Sequence, residues 1–293
     1  MSHVRRSIFS MTLAVRRRAA MRLVALDRSL EALPLFRLSD SADDTVITFA
    51  TDSGGRWRVL PAPGDRLPGT FDQDVYVEIC RRFHDADNPA DGSVTFTLHS
   101  FLRSMDRRVD GRTYDQLRSA LGRLERTTLE SVDAYHSAGA GGLITGQFAV
   151  LSSVSVERRR IIDREQLGLF AAVPAAEPGV ARVVIHPFVR ENIMAHHVVT
   201  LSLIRYLALQ SPVARRLYRL LEIARANGIV SWRVSLERLR DMLPLVQRYP
   251  SHLQRVLQPA HVMLLEAGLV RDAGFRQLHR EWHAEYVLAS RLD

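Results

Sequence analysis

Apolar positions recur with helical spacing along residues 111–129, which read GRTYDQLRSALGRLERTTL. Thr113 and Gln116 have capping-box spacing, which predicts that the helix starts at Thr113. One stripe is apolar and is expected to pack against a core; it contains Tyr114, Leu117, Leu121 and Leu124. The opposite face is polar and cationic; it contains Gln116, Arg118, Ser119, Arg123 and Arg126. The pattern therefore predicts an amphipathic helix with an accessible basic face.

The elements predicted around this helix follow the order of a winged helix. Residues 94–96 favour a short strand, and Thr97 is placed to cap a helix that ends before a turn at 106–111. Beyond the basic helix, the β-like segments 127–135 and 147–156 flank the sequence SAGAGG. They predict a long hairpin with a flexible tip. Strand, helix, turn, helix and hairpin together make a helix-turn-helix with a wing.

Upstream of this unit the pattern is weaker. Residues 45–60 alternate around a turn signal and predict a hairpin, and residues 72–83 have helical spacing. Residues 23–38 also have a helical pattern, which breaks at Pro34. We interpret residues 1–44 as a basic N-terminal arm; the alternative is that translation starts at Met11 or Met21.

The same order of elements returns near the C-terminus. A helix capped by Ser211 ends at Asn227-Gly228, residues 230–234 favour a strand, and Ser235 caps a second helix. Residues 249–270, YPSHLQRVLQPAHVMLLEAGLV, predict a third helix. Its predicted buried stripe is Leu253, Val256, Leu257, Ala260 and Leu264. Its predicted exposed face is His252, Arg255, Gln258 and His261. Residues 269–288 then alternate around a turn and predict a second wing.

Two equivalent helices about 135 residues apart indicate a weak internal repeat. The sequence therefore predicts an α+β fold, mostly helical, with two tandem winged-helix domains and a basic N-terminal arm. The predicted boundaries are 1–44 for the arm, 45–197 for the first domain and 198–293 for the second. Within this division, residues 183–185 favour a strand and residues 198–209 a packed helix that joins the two domains.

Charge adds a candidate partner. The 293-residue chain has a formal net charge of +8 and a pI near 10.4. All 40 basic residues are arginine, which a GC-rich genome would also produce. Arginine binds phosphate and guanine through two parallel N–H groups, so this surface suits nucleic acid.

Several other classes of protein are disfavoured. The single cysteine, Cys80, excludes an intramolecular disulfide framework and a cysteine-based zinc site. No apolar run is long enough for a membrane helix, and without lysine there is no Walker A motif. His279 and His283 are four residues apart but lack the zinc-protease pattern, and no two histidines are separated by one residue as in metal-dependent nicking proteins. We expect no catalytic residues, no metal and no cofactor.

Candidate DNA contacts fall into two groups, for each of which a solvated surface is the alternative interpretation. Base-reading positions on the two basic helices are Gln116, Arg118, Ser119, Arg123, His252, Arg255 and Gln258, and Thr113 and Gln254 are further candidate contacts. Gln254 also has capping-box spacing from Ser251 and would then hold the helix end instead. Positions expected to contact phosphate and to set affinity are Arg112, Arg158, Arg159, Arg160, Arg248, Ser251, Arg271 and Arg276.

The same segments resemble a known family. FTLHSFLRSM and GRTYDQLRSALGRLERTTLESVDAY are similar to the first winged helix of the replication initiator protein A family of bacterial plasmids. ALPLFRLSD resembles the entry to that domain. HLQRVLQPAHVMLLEAG resembles the second recognition helix of plasmid initiators, with Leu253, Arg255, Val256, Leu257 and Pro259-Ala260 in the shared pattern.

The resemblance implies a non-enzymatic initiator that binds directly repeated duplex sites, or iterons, at a plasmid origin. It also implies that the protein opens the adjacent duplex, contacts the host initiator and replicative helicase, and exchanges between homodimer and monomer. We expect a cytoplasmic protein associated with plasmid and nucleoid, with no membrane partner. The alternative is a winged-helix transcriptional regulator or autorepressor without initiator activity.

Overall fold

A computed structural model describes residues 23–38, 45–157, 179–247 and 249–290. The chain divides into two compact units. The central unit is Leu35–His196, and the terminal unit combines Met1–Pro34 with His197–Asp293. The fold is α+β, with helices and several small antiparallel sheets.

The elements up to the end of the central unit alternate between strands and helices. In chain order they are β1 (Leu23–Asp27), α1 (Arg28–Ala32), β2 (Ile47–Ala50), β3 (Arg56–Leu60), α2 (Thr70–Asp85), β4 (Ser93–Thr97), α3 (Leu98–Ser104), α4 (Gly111–Arg126), β5 (Thr128–Ser137), β6 (Gly142–Phe148), β7 (Leu151–Val156), β8 (Val180–Ile185) and α5 (Pro187–Met194).

The remaining elements belong to the terminal unit. They are β9 (Val198–Ser202), α6 (Leu203–Ala208), α7 (Pro212–Ala226), β10 (Ser231–Ser235), α8 (Leu236–Met242), α9 (Pro250–Glu266), β11 (Val270–Leu278) and β12 (Glu281–Leu288). The predicted helix over 198–209 is therefore half strand, because Val198–Ser202 pairs with β1.

The central unit contains two antiparallel sheets, ordered β2-β3-β5-β6 and β4-β8-β7. Aromatic side chains fill the core beneath the first sheet: Trp57 stacks on Tyr135 with ring centroids 6.4 Å apart, and Tyr135 packs against Phe148 at 4.8 Å. The wing was predicted from segments 127–135 and 147–156, but the first segment pairs with β6 in this four-stranded sheet, and the second lies mostly in β7 of the other sheet. The strand that pairs with β4 is β8, whose other neighbour is β7.

The three-stranded sheets of the two units have the same topology. In β4-β8-β7 and in β10-β12-β11, the first strand pairs with the last, and the last pairs with the middle one. The short helix after each first strand is capped in the same way: Thr97 Oγ1 accepts from Ser100 N at 3.1 Å, and Ser235 Oγ accepts from Arg238 N at 3.2 Å. The predicted internal repeat thus has a matching order of elements in both units.

The helix before each of these sheets also carries a matching sequence, VEICR at 77–81 in α2 and LEIAR at 221–225 in α7. In both helices the glutamate accepts from the arginine three residues later, Glu78 from Arg81 at 2.6 Å and Glu222 from Arg225 at 3.0 Å. The repeat therefore extends one helix further upstream than the sequence analysis placed it.

Residues 23–33 are not part of an extended arm. Strand β1 pairs with β9 from Leu23↔Ser202 to Asp27↔Val198. The buried carboxylate of Glu31 accepts hydrogen bonds from Arg216 Nη1 and Arg219 Nη1 on α7, both at 3.2 Å. Because a buried charge needs a partner, this cluster fixes β1 and α1 within the terminal unit. Residues 1–22 and 39–44 of the predicted arm lie outside the described residues.

Candidate DNA interface

Helix α4 begins at Gly111, before the predicted start at Thr113, because Asp110 provides the cap. Thr113 N donates to Asp110 Oδ1 at 2.9 Å, and Asp110 N donates to Thr113 Oγ1 at 3.1 Å. The backbone N–H and the hydroxyl of Thr113 both donate to the Asp110 carboxylate, and these two bonds hold the pKa of Asp110 below its usual value. The Thr113 hydroxyl is therefore engaged in the capping box rather than presented to a ligand.

The exposed face of α4 contains four of the predicted contacts. Arg112, Gln116, Arg118 and Ser119 are exposed, as the periodicity predicted. Arg118 Nη1 donates to Asp115 Oδ1 at 2.8 Å, so its charge is already partly compensated.

Arg123 must be removed from the predicted DNA contacts. It is only 5% exposed, and it binds the buried carboxylate of Asp72 on α2 through Nε at 3.1 Å and Nη2 at 2.7 Å. Arg123 lies three residues after the buried Ala120 and so shares the inner face of the helix. Its function in the fold is to hold α4 against α2.

Helix α9 begins at Pro250, with Tyr249 at the N-cap and no side-chain cap. Ser251 therefore lies inside the first turn, and the predicted capping box with Gln254 does not form. Gln254 is half-buried, and within the described part of the chain its amide nitrogen has no hydrogen-bond partner.

The exposed face of α9 carries Ser251, His252, Arg255 and Gln258, all as predicted. The structure adds Tyr249, which is 68% exposed and meets the His252 ring edge-on at 5.6 Å. The sequence signal that could have identified Tyr249 as part of this face is its position directly before Pro250, the first residue of the helix. This face therefore combines hydrogen-bond donors, acceptors and one aromatic ring.

His261 does not belong to that face. It is buried, and its Nε2 lies 2.9 Å from the Tyr286 hydroxyl on β12. Its ring packs against Phe275 on β11 at 4.8 Å. Burial lowers the pKa of His261 to about 4, so this side chain is a neutral core residue that attaches α9 to the sheet.

Two of the predicted phosphate contacts lie on β11. Arg271 is exposed, and Arg276 is exposed with its Nε 3.3 Å from Glu285 Oε2. The same glutamate binds Arg233 on β10, which the sequence analysis did not select. Arg158, Arg159, Arg160 and Arg248 lie outside the described residues.

No group of three or more histidine, cysteine, aspartate or glutamate side chains that could hold a metal ion occurs in the described ranges. In those same ranges, no helix has both the length and the apolar character needed to cross a membrane.

Comparison with solved structures gives matches to RctB and to the Pi initiator protein. A crystal structure of domains 2 and 3 of RctB is similar with a TM-score of 0.54 and 12% identity, covering 91% of this chain and 100% of that one. A second structure of RctB domains 2–3 has a TM-score of 0.52 and 11% identity, covering 89% and 97%. The Pi initiator protein in complex with iteron DNA has a TM-score of 0.47 and 13% identity, covering 75% and 94%.

The two RctB structures share the fold of this chain at low sequence identity. No curated protein sequence matches it. The family model for replication initiator protein A, however, matches residues 26–243. This match spans both units and most of the chain. The chain therefore belongs to the replication initiator protein A family.

Proposed function

We propose that this replication initiator binds directly repeated duplex sites at a plasmid origin, with its two units acting as tandem winged-helix domains. In this proposal bound copies open the adjacent duplex and recruit the host initiator and helicase, and the protein exchanges between homodimer and monomer. Family membership supports the initiator activity. The repeated order of strand, helix, helix and strand pair supports the winged-helix assignment.

The exposed face of α9 is the observation that carries this proposal. Arg255 is exposed and has no acidic partner among the described residues, whereas Arg118 on α4 pairs with Asp115 and Arg123 is buried on Asp72. An unpaired guanidinium can bind guanine O6 and N7 together, and a glutamine one turn along can bind adenine N6 and N7. Arg255 and Gln258 have this chemistry and spacing on α9.

Helix α4 has a different balance of groups. Arg112 and Gln116 are exposed there, but the partly neutralised Arg118 and the capping function of Thr113 leave fewer groups for base contact. We infer that α9 reads the sequence of each repeat and that α4 contributes mainly contacts to the DNA backbone.

The substitution Arg255→Ala tests this assignment. If Arg255 binds a guanine, the variant is expected to lose about 1–3 kcal/mol of binding free energy on the repeat and to tolerate substitution of one base pair. Fluorescence anisotropy with repeats substituted at each position would measure both effects. Arg56→Ala is the matched control, because Arg56 is an exposed arginine on strand β3 and belongs to neither helix. An equal loss on every sequence would refute base reading by Arg255.

A further inference from the structure

Two arginines converge on one glutamate on the outer face of the sheet β10-β12-β11. Arg233 lies directly opposite Glu285 in register, while Arg276 lies opposite His283, the next outward-facing position on β12. Arg233 Nε donates to Glu285 Oε1 at 2.6 Å, and Arg276 Nε lies 3.3 Å from Glu285 Oε2. One carboxylate therefore holds guanidinium groups from both neighbouring strands.

The arrangement leaves binding capacity unused. The side chains of Arg233 and Arg276 are 52% and 60% exposed, and both approach Glu285 through Nε. Within the described ranges, their terminal Nη groups make no hydrogen bond. Exposed ion pairs contribute little to stability, so a second arginine on the same carboxylate gains little for the fold. It does leave the cluster with one excess positive charge.

The space beside the cluster is open. Gly274 lies opposite Glu285 on β11, and a Cβ added there would meet no described atom within 4 Å. The free edge of a guanidinium presents parallel N–H groups that match two oxygens of a phosphate. Two such edges beside an open position have the chemistry of a phosphate site.

We propose that Arg233 and Arg276 bind a phosphate of the DNA backbone, and that Glu285 spaces the two guanidinium groups while reducing their charge. This inference rests on the proposed function and adds a contact outside the α9 face. Helix α9 packs on the same sheet through His261 and Phe275. A phosphate bound at the sheet therefore helps to fix the position of the reading helix on DNA.

The salt dependence of binding tests the site in the full-length protein. Each phosphate contact contributes about 0.9 to the slope of log affinity against log salt concentration. Because the two arginines share one phosphate, the double variant Arg233→Ala/Arg276→Ala is expected to lower the slope by about 0.9, and each single variant by a smaller amount. All three variants are expected to weaken binding to a repeat duplex and a scrambled duplex alike. Glu285→Gln is expected to tighten binding a few-fold with the slope unchanged, because it removes a negative charge beside the phosphate.

Arg58 and Glu130 in the central unit provide the matched control. They form a cross-strand pair at 2.9 Å, and Glu130 has the same 23% exposure as Glu285. Arg58→Ala and Glu130→Gln are expected to leave the slope unchanged. Slopes for the Arg233 and Arg276 variants equal to those of the wild type would overturn the phosphate site. In that case a retained preference of the wild type for repeats would leave the proposed function standing, whereas loss of that preference would remove the proposed function itself.

Discussion

Two histidines on α9 have opposite environments at the scale of single residues. His252 is exposed beside Tyr249, whereas His261 is buried and bound to the Tyr286 hydroxyl. The sequence analysis placed both on the outer face because both are polar, although positions nine residues apart lie on opposite sides of a helix. Helical spacing puts His261 beside the buried Leu257 and Leu264, and in the fold its ring packs against Phe275 while its Nε2 lies beside the Tyr286 hydroxyl.

The burial of His261 predicts a loss of stability in acid. Its folded-state pKa is about 4 against 6.5 for the free side chain, so the unfolded chain binds the proton more readily between these values. Stability is therefore expected to fall as pH drops from 6.5 towards 4, by up to about 3 kcal/mol from this group. Denaturant unfolding of the wild type and His261→Gln across this range would measure it.

His186 also contributes to the loss of stability in acid, because its partial burial lowers its pKa. His261→Gln should therefore reduce the pH dependence without abolishing it. His252→Gln, at an exposed position on the same helix, is the control and should keep the full dependence. An unchanged pH dependence in His261→Gln would contradict the assignment of a buried neutral imidazole.

The strand β1 and helix α1 form the least predictable element pair. Their sequence pattern suggested a helix in an arm, and nothing local indicates that Leu23 pairs with Ser202 on a distant strand. In contrast, α4 and α9 were predictable because their apolar stripes repeat over several turns. Periodicity identifies a strand or helix, but it does not specify which sheet a strand joins. For this reason segments 127–135 and 147–156 were predicted to form one hairpin, although they lie mostly in different sheets.

The Glu31 cluster makes a prediction about this element pair. Glu31→Gln would remove the carboxylate that binds the buried guanidinium groups of Arg216 and Arg219. The expected loss in the free energy of unfolding is about 3–5 kcal/mol, measured by denaturant titration. Glu237→Gln is the control, because Glu237 is exposed and its ion pair with Arg240 is long, at 3.8 Å. This substitution should change the free energy of unfolding by less than about 0.5 kcal/mol. If Glu31→Gln lowered the free energy of unfolding by no more than this control does, the attachment of β1 and α1 would not depend on the cluster.

The excess charge is a property of the whole molecule. A net charge of +8 favours DNA of any sequence, and the interaction weakens as salt screens it. Sequence-specific recognition needs contacts to base edges in addition to this charge, and we propose that Arg255 and Gln258 on α9 make them. Charge and composition were available from the sequence, whereas the pairing of Arg118 with Asp115, of Arg123 with Asp72 and of Arg276 with Glu285 required the structure.

Sequence-specific binding is measured by the affinity of the purified protein for repeated DNA flanking its own gene, compared with its affinity for a scrambled duplex of equal length. Fluorescence anisotropy across a salt series would give both affinities and both slopes. If the exposed face of α9 reads the repeats, their affinity is expected to exceed that of the scrambled duplex about a thousandfold or more. Equal affinities with equal, steep salt dependence would contradict it, because they would describe a basic protein that binds DNA through charge alone.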